Sequence, residues 1–260
     1  MHSIKRRLFK WLGRERYLYL VSRLFFLAYR LGALRRDPEY ECHYFVRNLI
    51  RPGNWVLDIG ANLGYYSVLF SDLTGPYGKV FSVEPVPLYR RVLARNLRQR
   101  ANVVILPYAL GERAGQVRMG IPGGQPHRHG LTRILEKGER ATVPEQFEVE
   151  IRPPQEVFGA LERLDYIKCD VEGYEGHVLP LMQVYIDRHR PLVQVELAPE
   201  NRAPIFQLFE NADYRAFYVH NQQLQALPDA DAPARGDTLF IPSERTASLA
   251  ALISGAPQSR

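Results

Sequence analysis

The stretch Trp55-Val56-Leu57-Asp58-Ile59-Gly60-Ala61-Asn62-Leu63-Gly64-Tyr65-Tyr66 constrains this chain more than any other. It reads as a buried strand that ends in a tight glycine turn and opens a helix. Glycines at 60 and 64 let the backbone turn sharply and approach a ligand closely. The spacing is GxxxG, without the GxG pair of the dinucleotide fingerprint, which argues against a dehydrogenase. A carboxylate, Asp58, stands near the strand end, where a pyrophosphate would be repelled and a sulfonium cation with an amino-acid tail would not. The turn would then wrap that tail through Gly60, Ala61, Asn62 and Gly64, with Asp58 organising the amino group.

A second strand-like run, Lys79–Val83, is followed by Glu84-Pro85. Glu84 lies 26 residues after Asp58, in the range where an acid at the end of the next strand accepts both ribose hydroxyls. Alternation continues around both motifs. Strands are expected at Trp55–Ile59, Lys79–Val83, Val103–Pro107, Tyr166–Cys169, Leu192–Leu197, Tyr214–Val219 and Thr238–Ile241. Helices are expected at Glu41–Ile50, Tyr65–Leu73, Leu88–Arg98, Glu175–Arg188 and Pro204–Asn211. Apolar strands separated by helices predict a mostly parallel sheet, here of seven strands, covered on both faces. Between Leu110 and Pro154 the rhythm fails, and glycines punctuate short strand-like pieces (Gln116–Met119, Phe147–Ile151), so a long functional or mobile loop that carries them is expected there. It contains His127 and His129, read as solvated loop histidines.

A third motif, Asp165-Tyr166-Ile167-Lys168-Cys169-Asp170-Val171-Glu172-Gly173-Tyr174-Glu175, follows the fourth strand of the set. Ligands in open α/β sheets bind at the carboxyl ends of strands, so Asp170 and Glu172 are expected beside Asp58 and Glu84. Lys168 and Asp170 are two apart and share a face of the strand. Group transfer from a sulfonium to a hydroxyl needs an oxygen held in line and a base for its proton. Asp170 and Glu172 suit that work. Lys168 serves to fix their ionisation, to hold an anionic substrate group, or as a structural ion pair beneath the site, and Glu196, ending the next strand, is a further catalytic candidate.

In order and wording these motifs resemble the FkbM-type methyltransferases over about Tyr40 to Ile241. The resemblance implies a Rossmann-like class I methyltransferase fold with S-adenosylmethionine as cofactor. It also implies that Asn102-Val103 leading to Ala109 borders the adenine, so that Asp58, Gly60, Ala61, Asn62, Gly64, Glu84, Pro85, Ala109 and Asp170 form the cofactor site. The run Asp170-Val171-Glu172-Gly173-Tyr174-Glu175 is similar to one in magnesium-dependent sugar O-methyltransferases. Their Asp-Asp pair after the following strand is absent from Val195-Glu196-Leu197-Ala198-Pro199-Glu200, and the site is read as metal-free.

The formal charge of +6 is misleading until it is located. Residues 1–36 hold ten Lys+Arg and one acid, giving +9, while the remainder carries −3. The catalytic part is therefore acidic, and nucleic acid is not an expected partner. The acceptor is expected to be a hydroxyl on a sugar, lipid or secondary metabolite. A single helix is expected over Ile4–Leu34, with Arg16, Arg23 and Arg30 in one stripe. Two arginines within Tyr17–Leu34 make spanning a bilayer costly, which leaves a helix in the membrane interface or one packed on protein, including a second copy in a homodimer. The organisation expected is a basic helical extension (1–39), a methyltransferase domain (40–243) and a loose C-terminal tail (244–260). Two cysteines and no clean signal peptide fit a cytoplasmic protein, at most at the membrane's inner face. The alternative from a different class is a membrane-tethered, non-catalytic binding module that retains the fold.

Overall fold

A computed structural model describes residues 12–121, 132–135, 138, 143, 145–159, 161–233 and 235–254. Helix α1 (Arg14–Arg30) and the short α2 (Glu41–Phe45) lead into β1 (Trp55–Ile59), α3 (Tyr65–Thr74), β2 (Lys79–Val83), α4 (Pro87–Leu97) and β3 (Val103–Leu106). Four strands follow: β4 (Ala109–Leu110), β5 (Gly115–Gly120), β6 (Arg133–Ile134) and β7 (Gln146–Arg152), closed by α5 (Pro154–Phe158). The alternation resumes with β8 (Tyr166–Cys169), α6 (Glu175–Leu181), α7 (Gln183–His189), β9 (Leu192–Val195) and α8 (Arg202–Asn211). It ends on β10 (Tyr214–His220), β11 (Gln223–Leu227) and β12 (Thr238–Pro242).

The main sheet has the order β11-β10-β12-β9-β8-β1-β2-β3. The five strands from β9 to β3 are parallel, and β12, β10 and β11 are antiparallel. β8 and β9 are buried along their whole length, as strands covered on both faces must be. This is the Rossmann-like α/β fold that the sequence implies, with eight strands in place of seven. The extra strand is β11, reached from β10 through Asn221 (φ 52°) and Gln222 (φ 59°), a pair of left-handed residues that suits a two-residue hairpin.

Within the long irregular segment, the strand-like pieces Gln116–Met119 and Phe147–Ile151 lie in β5 and β7 of a second sheet, of order β4-β7-β5-β6. β5 and β7 pair from Gly115↔Ile151 to Gly120↔Gln146. His127 and His129 lie outside the described residues. The single helix expected over Glu175–Arg188 is interrupted at Met182, two residues after Pro180 withdraws a backbone donor from it.

The N-terminal helix is shorter than expected among the described residues, because Gly13 (φ 71°) and Gly32 (φ 73°) bracket it. It is packed on the rest of the molecule. Tyr17, Leu18 and Phe26 are buried against a surface that includes Leu63, Val86, Leu88 and Val92 at one end and Ala61, Val68, Leu93 and Leu97 at the other. Full burial of each such side chain contributes about 1.5–3 kcal/mol. Asn96 Nδ2 donates to Ser22 Oγ (2.9 Å) and to the Leu63 carbonyl (2.8 Å), tying α1 to α4 and the glycine turn. Core packing therefore crosses the expected boundary at residues 39/40. It crosses the one at 243 too: Leu249, Leu252 and Ile253 pack on the core, and Ile253 bridges Leu224 of β11. Among the described residues no helix is long and apolar enough to cross a membrane.

Candidate active site

Chain connections leave β1 toward β2 on one side and arrive at β8 on the other, so a crevice opens at the carboxyl ends of these strands. A cavity of about 650 Å³ lies there. Its β2/β3 side is lined by Glu84, Pro85, Val86, Tyr108 and Ala109, and its β8/β9 side by Lys168, Asp170, Glu172 and Glu196. Gly60, Ala61 and Asn62 form the ridge between, above Asp58. Every catalytic and cofactor-site candidate lines this cavity except Gly64, while Asn102 lies away from it, its side chain bonded to Ser71, Thr74 and Gly75. Gly64 starts α3 in the left-handed region (φ 91°) and faces Leu93.

Gly60 is required by geometry. Its φ is +84°, and a Cβ there would lie 1.8 Å from the carbonyl oxygen of Asp170. The turn after β1 thus passes directly against the turn after β8, which brings the two motifs together. Glu84 holds the turn from the other side: its carboxylate accepts from the backbone N–H of Asn62 (2.9 Å) and of Val86 (2.7 Å). Burial pushes the Glu84 carboxyl up to about 8 despite those bonds. Asn62 sits at φ 51°, and its Oδ1 is buried without a hydrogen-bond partner. An acceptor left unpaired in a cavity wall fits a ligand that brings a donor. With Glu84 retaining lone pairs for hydroxyls and no side chain at Gly60, these residues fit S-adenosylmethionine: Glu84 toward the ribose and Asn62 toward a donor elsewhere on the cofactor.

Beneath the cavity, strand register lines up Ser82, Asp58, Lys168 and Gln194 in one row across β2, β1, β8 and β9. Ser67 donates to Asp58 Oδ2 (2.5 Å) and accepts from Ser82 (2.8 Å). Burial raises Asp58 to about 6. The Lys168 ammonium is buried and donates to Asp170 Oδ2 at 2.7 Å. Burial opposes its charge, but Asp170, Asp237 and Asp58 outweigh that and hold its pKa above the ordinary value. Lys168 thus forms an ion pair with Asp170 and also lines the cavity.

Two lining residues carried no signal in the sequence reading. Asp237 precedes β12 and bonds the carboxamide of Gln194, whose Nε2 also donates to the Tyr66 hydroxyl at 2.8 Å. His43 on α2 is buried, and its Nε2 lies 3.2 Å from the Tyr65 carbonyl. Burial drives it down to about 3, so the ring is neutral.

The β8/β9 side of the cavity is acidic. Glu172 occupies the left-handed region (φ 53°), followed by Gly173 (φ 92°). Glu175 enforces this turn: its Oε1 accepts from the N–H of Val171 (3.1 Å) and Gly173 (3.0 Å), and its Oε2 from Asn201 Nδ2 (3.0 Å). Partial burial and the charges of Asp170, Glu196 and Glu175 push Glu172 up to about 8. The cleft wall, Asp170 and Asp237 raise Glu196 in the same direction, although it is more open to solvent. Among the described residues no three His, Cys, Asp or Glu side chains are gathered to hold a metal ion.

These shifts have a consequence for stability. Glu84, Glu172 and Asp58 keep protons in the fold that the unfolded chain releases near pH 4. The stability they contribute is full below that pH and is lost as pH rises through about 6 to about 8. Without added cofactor, thermal denaturation should show Tm falling over this window, with a shallower fall in Glu172→Gln. A fall of equal steepness in that variant would remove Glu172 from the effect.

The sequence of this chain matches the Methyltransferase FkbM domain family over residues 58–216. It is 30% identical over 165 residues to methyltransferase sdnD of Sordaria araneosa, covering 52% of this chain and 62% of that protein. It is also 30% identical over 102 residues to the protein-L-isoaspartate O-methyltransferase of Methanothrix thermoacetophila, covering 36% of this chain and 49% of that one. The chain thus spans less than two thirds of the length of either relative. Among solved structures, an FkbM methyltransferase from Methylobacillus flagellatus KT aligns with a TM-score of 0.47 at 17% identity, over 86% of this chain and 53% of that one. On the extent of the domain match, this chain belongs to the FkbM-type family of S-adenosylmethionine-dependent methyltransferases.

Proposed function

We propose that the protein transfers a methyl group from S-adenosylmethionine to a hydroxyl of an uncharged acceptor: a sugar, a lipid or a secondary metabolite. The observation that carries this reading is the convergence of Asp170, Glu172 and Glu196 on the cavity beside the Gly60 turn. S-adenosylmethionine supplies an electrophilic methyl carbon on a sulfonium. Glu172 takes the hydroxyl proton as the acceptor oxygen bonds to that carbon and the carbon–sulfur electron pair leaves with sulfur. Asp170, its charge offset by Lys168, holds the hydroxyl in line. In the ionised state that Glu172 needs to act as a base, these acids would repel an anionic acceptor, whether a carboxylate or a nucleic-acid backbone. On this point the reading departs from the isoaspartate relative, whose name specifies a carboxyl acceptor. No step relies on a metal. The buried free thiols Cys42 and Cys169 support a reducing, cytoplasmic setting.

Incubation of the protein with cell extract and S-adenosylmethionine labelled in the methyl group tests the reading. Label should enter a neutral small molecule or glycolipid as a base-stable methyl ether, at equal rate with and without EDTA. Base-labile label would mean a methyl ester and overturn hydroxyl methylation. Inhibition by EDTA that added Mg²⁺ reverses would overturn the metal-free mechanism. Binding of S-adenosylmethionine without label transfer to any fraction would favour a non-catalytic module.

A further inference from the structure

We propose that the outward face of α1 is a docking surface for an anionic lipid bilayer, a surface the fold keeps free while the inward face of the same helix is occupied. At 100° per residue, Arg16, Leu20, Arg23, Leu24, Leu27, Arg30 and Leu31 fall within a sector of about 120°. Leu24, Leu27 and Leu31 are 56%, 53% and 74% exposed, half of the large exposed hydrophobic side chains among the described residues. Scattered exposed leucines need no explanation, but three at i, i+3 and i+7 on one helix form a stripe.

Charge selects the occupant. Arg16, Arg23 and Arg30 are exposed alongside the leucine stripe, make no ion pair among the described residues, and are followed by exposed Arg35 and Arg36. The sector contains no acid. Glu15 lies outside it and is held by Arg91 at 2.7 Å. A leucine row beside an unpaired arginine row has both ingredients of interfacial binding: apolar burial at the headgroup boundary and attraction to anionic lipid. A second copy of the chain is the poorer occupant, since pairing this face with itself would oppose arginine to arginine. Opposite the sector, Val21 and Phe25 line the cavity. Docking by α1 therefore sets the cavity beside the lipid surface, within reach of a membrane-borne acceptor.

Flotation of the full chain with phosphatidylcholine vesicles, with and without phosphatidylglycerol, tests the proposal. Binding should require phosphatidylglycerol and weaken with salt. It should fall about five-fold in each of Arg23→Gln and Arg30→Gln, and on the order of ten-fold in Leu27→Ser. Tm and S-adenosylmethionine binding should stay unchanged in all three. If Leu27→Ser lowers Tm, the two arginine variants decide, since their side chains are exposed. No flotation on anionic vesicles overturns the proposal. So does flotation that none of the variants weakens, which would assign binding to the basic residues 5–10. A dimer that the same variants dissolve, without vesicle binding, assigns the face to a second copy and overturns it as well. None of these readouts involves methyl transfer, so they stand or fall apart from the acceptor chemistry.

Discussion

Glu172→Gln should lower methyl-transfer turnover by about 10²–10⁴-fold, the usual cost of losing a general base, while S-adenosylmethionine affinity changes no more than a few-fold. The substitution keeps the shape of the side chain and removes only its capacity to take a proton. Glu172 suits the task because its carboxyl is pushed up to about 8 by partial burial and by three neighbouring acids, close to a working pH. The protein holds it there at a cost: a non-glycine residue in the left-handed region costs about 1–2 kcal/mol. Glu172→Gly should therefore be as inactive as the glutamine variant and more thermostable. Single-turnover transfer of labelled methyl, with calorimetry of cofactor binding, separates chemistry from affinity. Unchanged turnover in both Glu172→Gln and Asp170→Asn would remove these carboxylates from the mechanism.

Gly60→Ala should lower stability by about 2–5 kcal/mol and abolish measurable S-adenosylmethionine binding. The estimate combines the left-handed backbone with overpacking against an immovable neighbour. That neighbour is the Asp170 carbonyl, 1.8 Å from the new Cβ, so relief requires the turns after β1 and β8 to separate. Such a separation would also displace Asp170 and Glu172, so the loss reaches both halves of the cavity. Chemical denaturation and calorimetry check this. Wild-type stability with wild-type affinity would mean that the two turns do not meet as described.

The parallel half of the fold was legible because its rules are local. Strands buried on both faces must be apolar, and Gly60, Glu84 and Asp170 fall at their ends, where one topology brings them together. The strand β11 was not legible, because its turn places Gln222 in a left-handed conformation for which a glycine would have been the signal. The strands β5 and β7 were legible as short strand-like pieces, but their pairing into a sheet was hidden by glycines at the ends and polar residues at exposed positions. Asp237 escaped for a different reason. It precedes a strand, which in a parallel sheet is the end away from the ligand. β12 is antiparallel to β9, with Thr238 opposite Val195, so its start lies at the site. His43 had no motif around it, and only the packing of α2 against Tyr65 and Tyr66 brings it to the cavity.

The insertion of β12 between β9 and β10 also bears on how the chain is made. During synthesis the parallel strands emerge first, and Lys168 is enclosed among them with Asp58 and Asp170 as its partners. The third carboxylate, Asp237, arrives only after β9 and β10, when β12 enters a slot flanked on both sides. A nascent chain paused before residue 237 would therefore hold a nearly complete cofactor turn above an under-neutralised ammonium, with the edge of β9 still open to other strands. For this protein the vulnerable interval for misassembly lies between the emergence of β9 and that of β12, and a chaperone that shields β9 until β12 is available would act there.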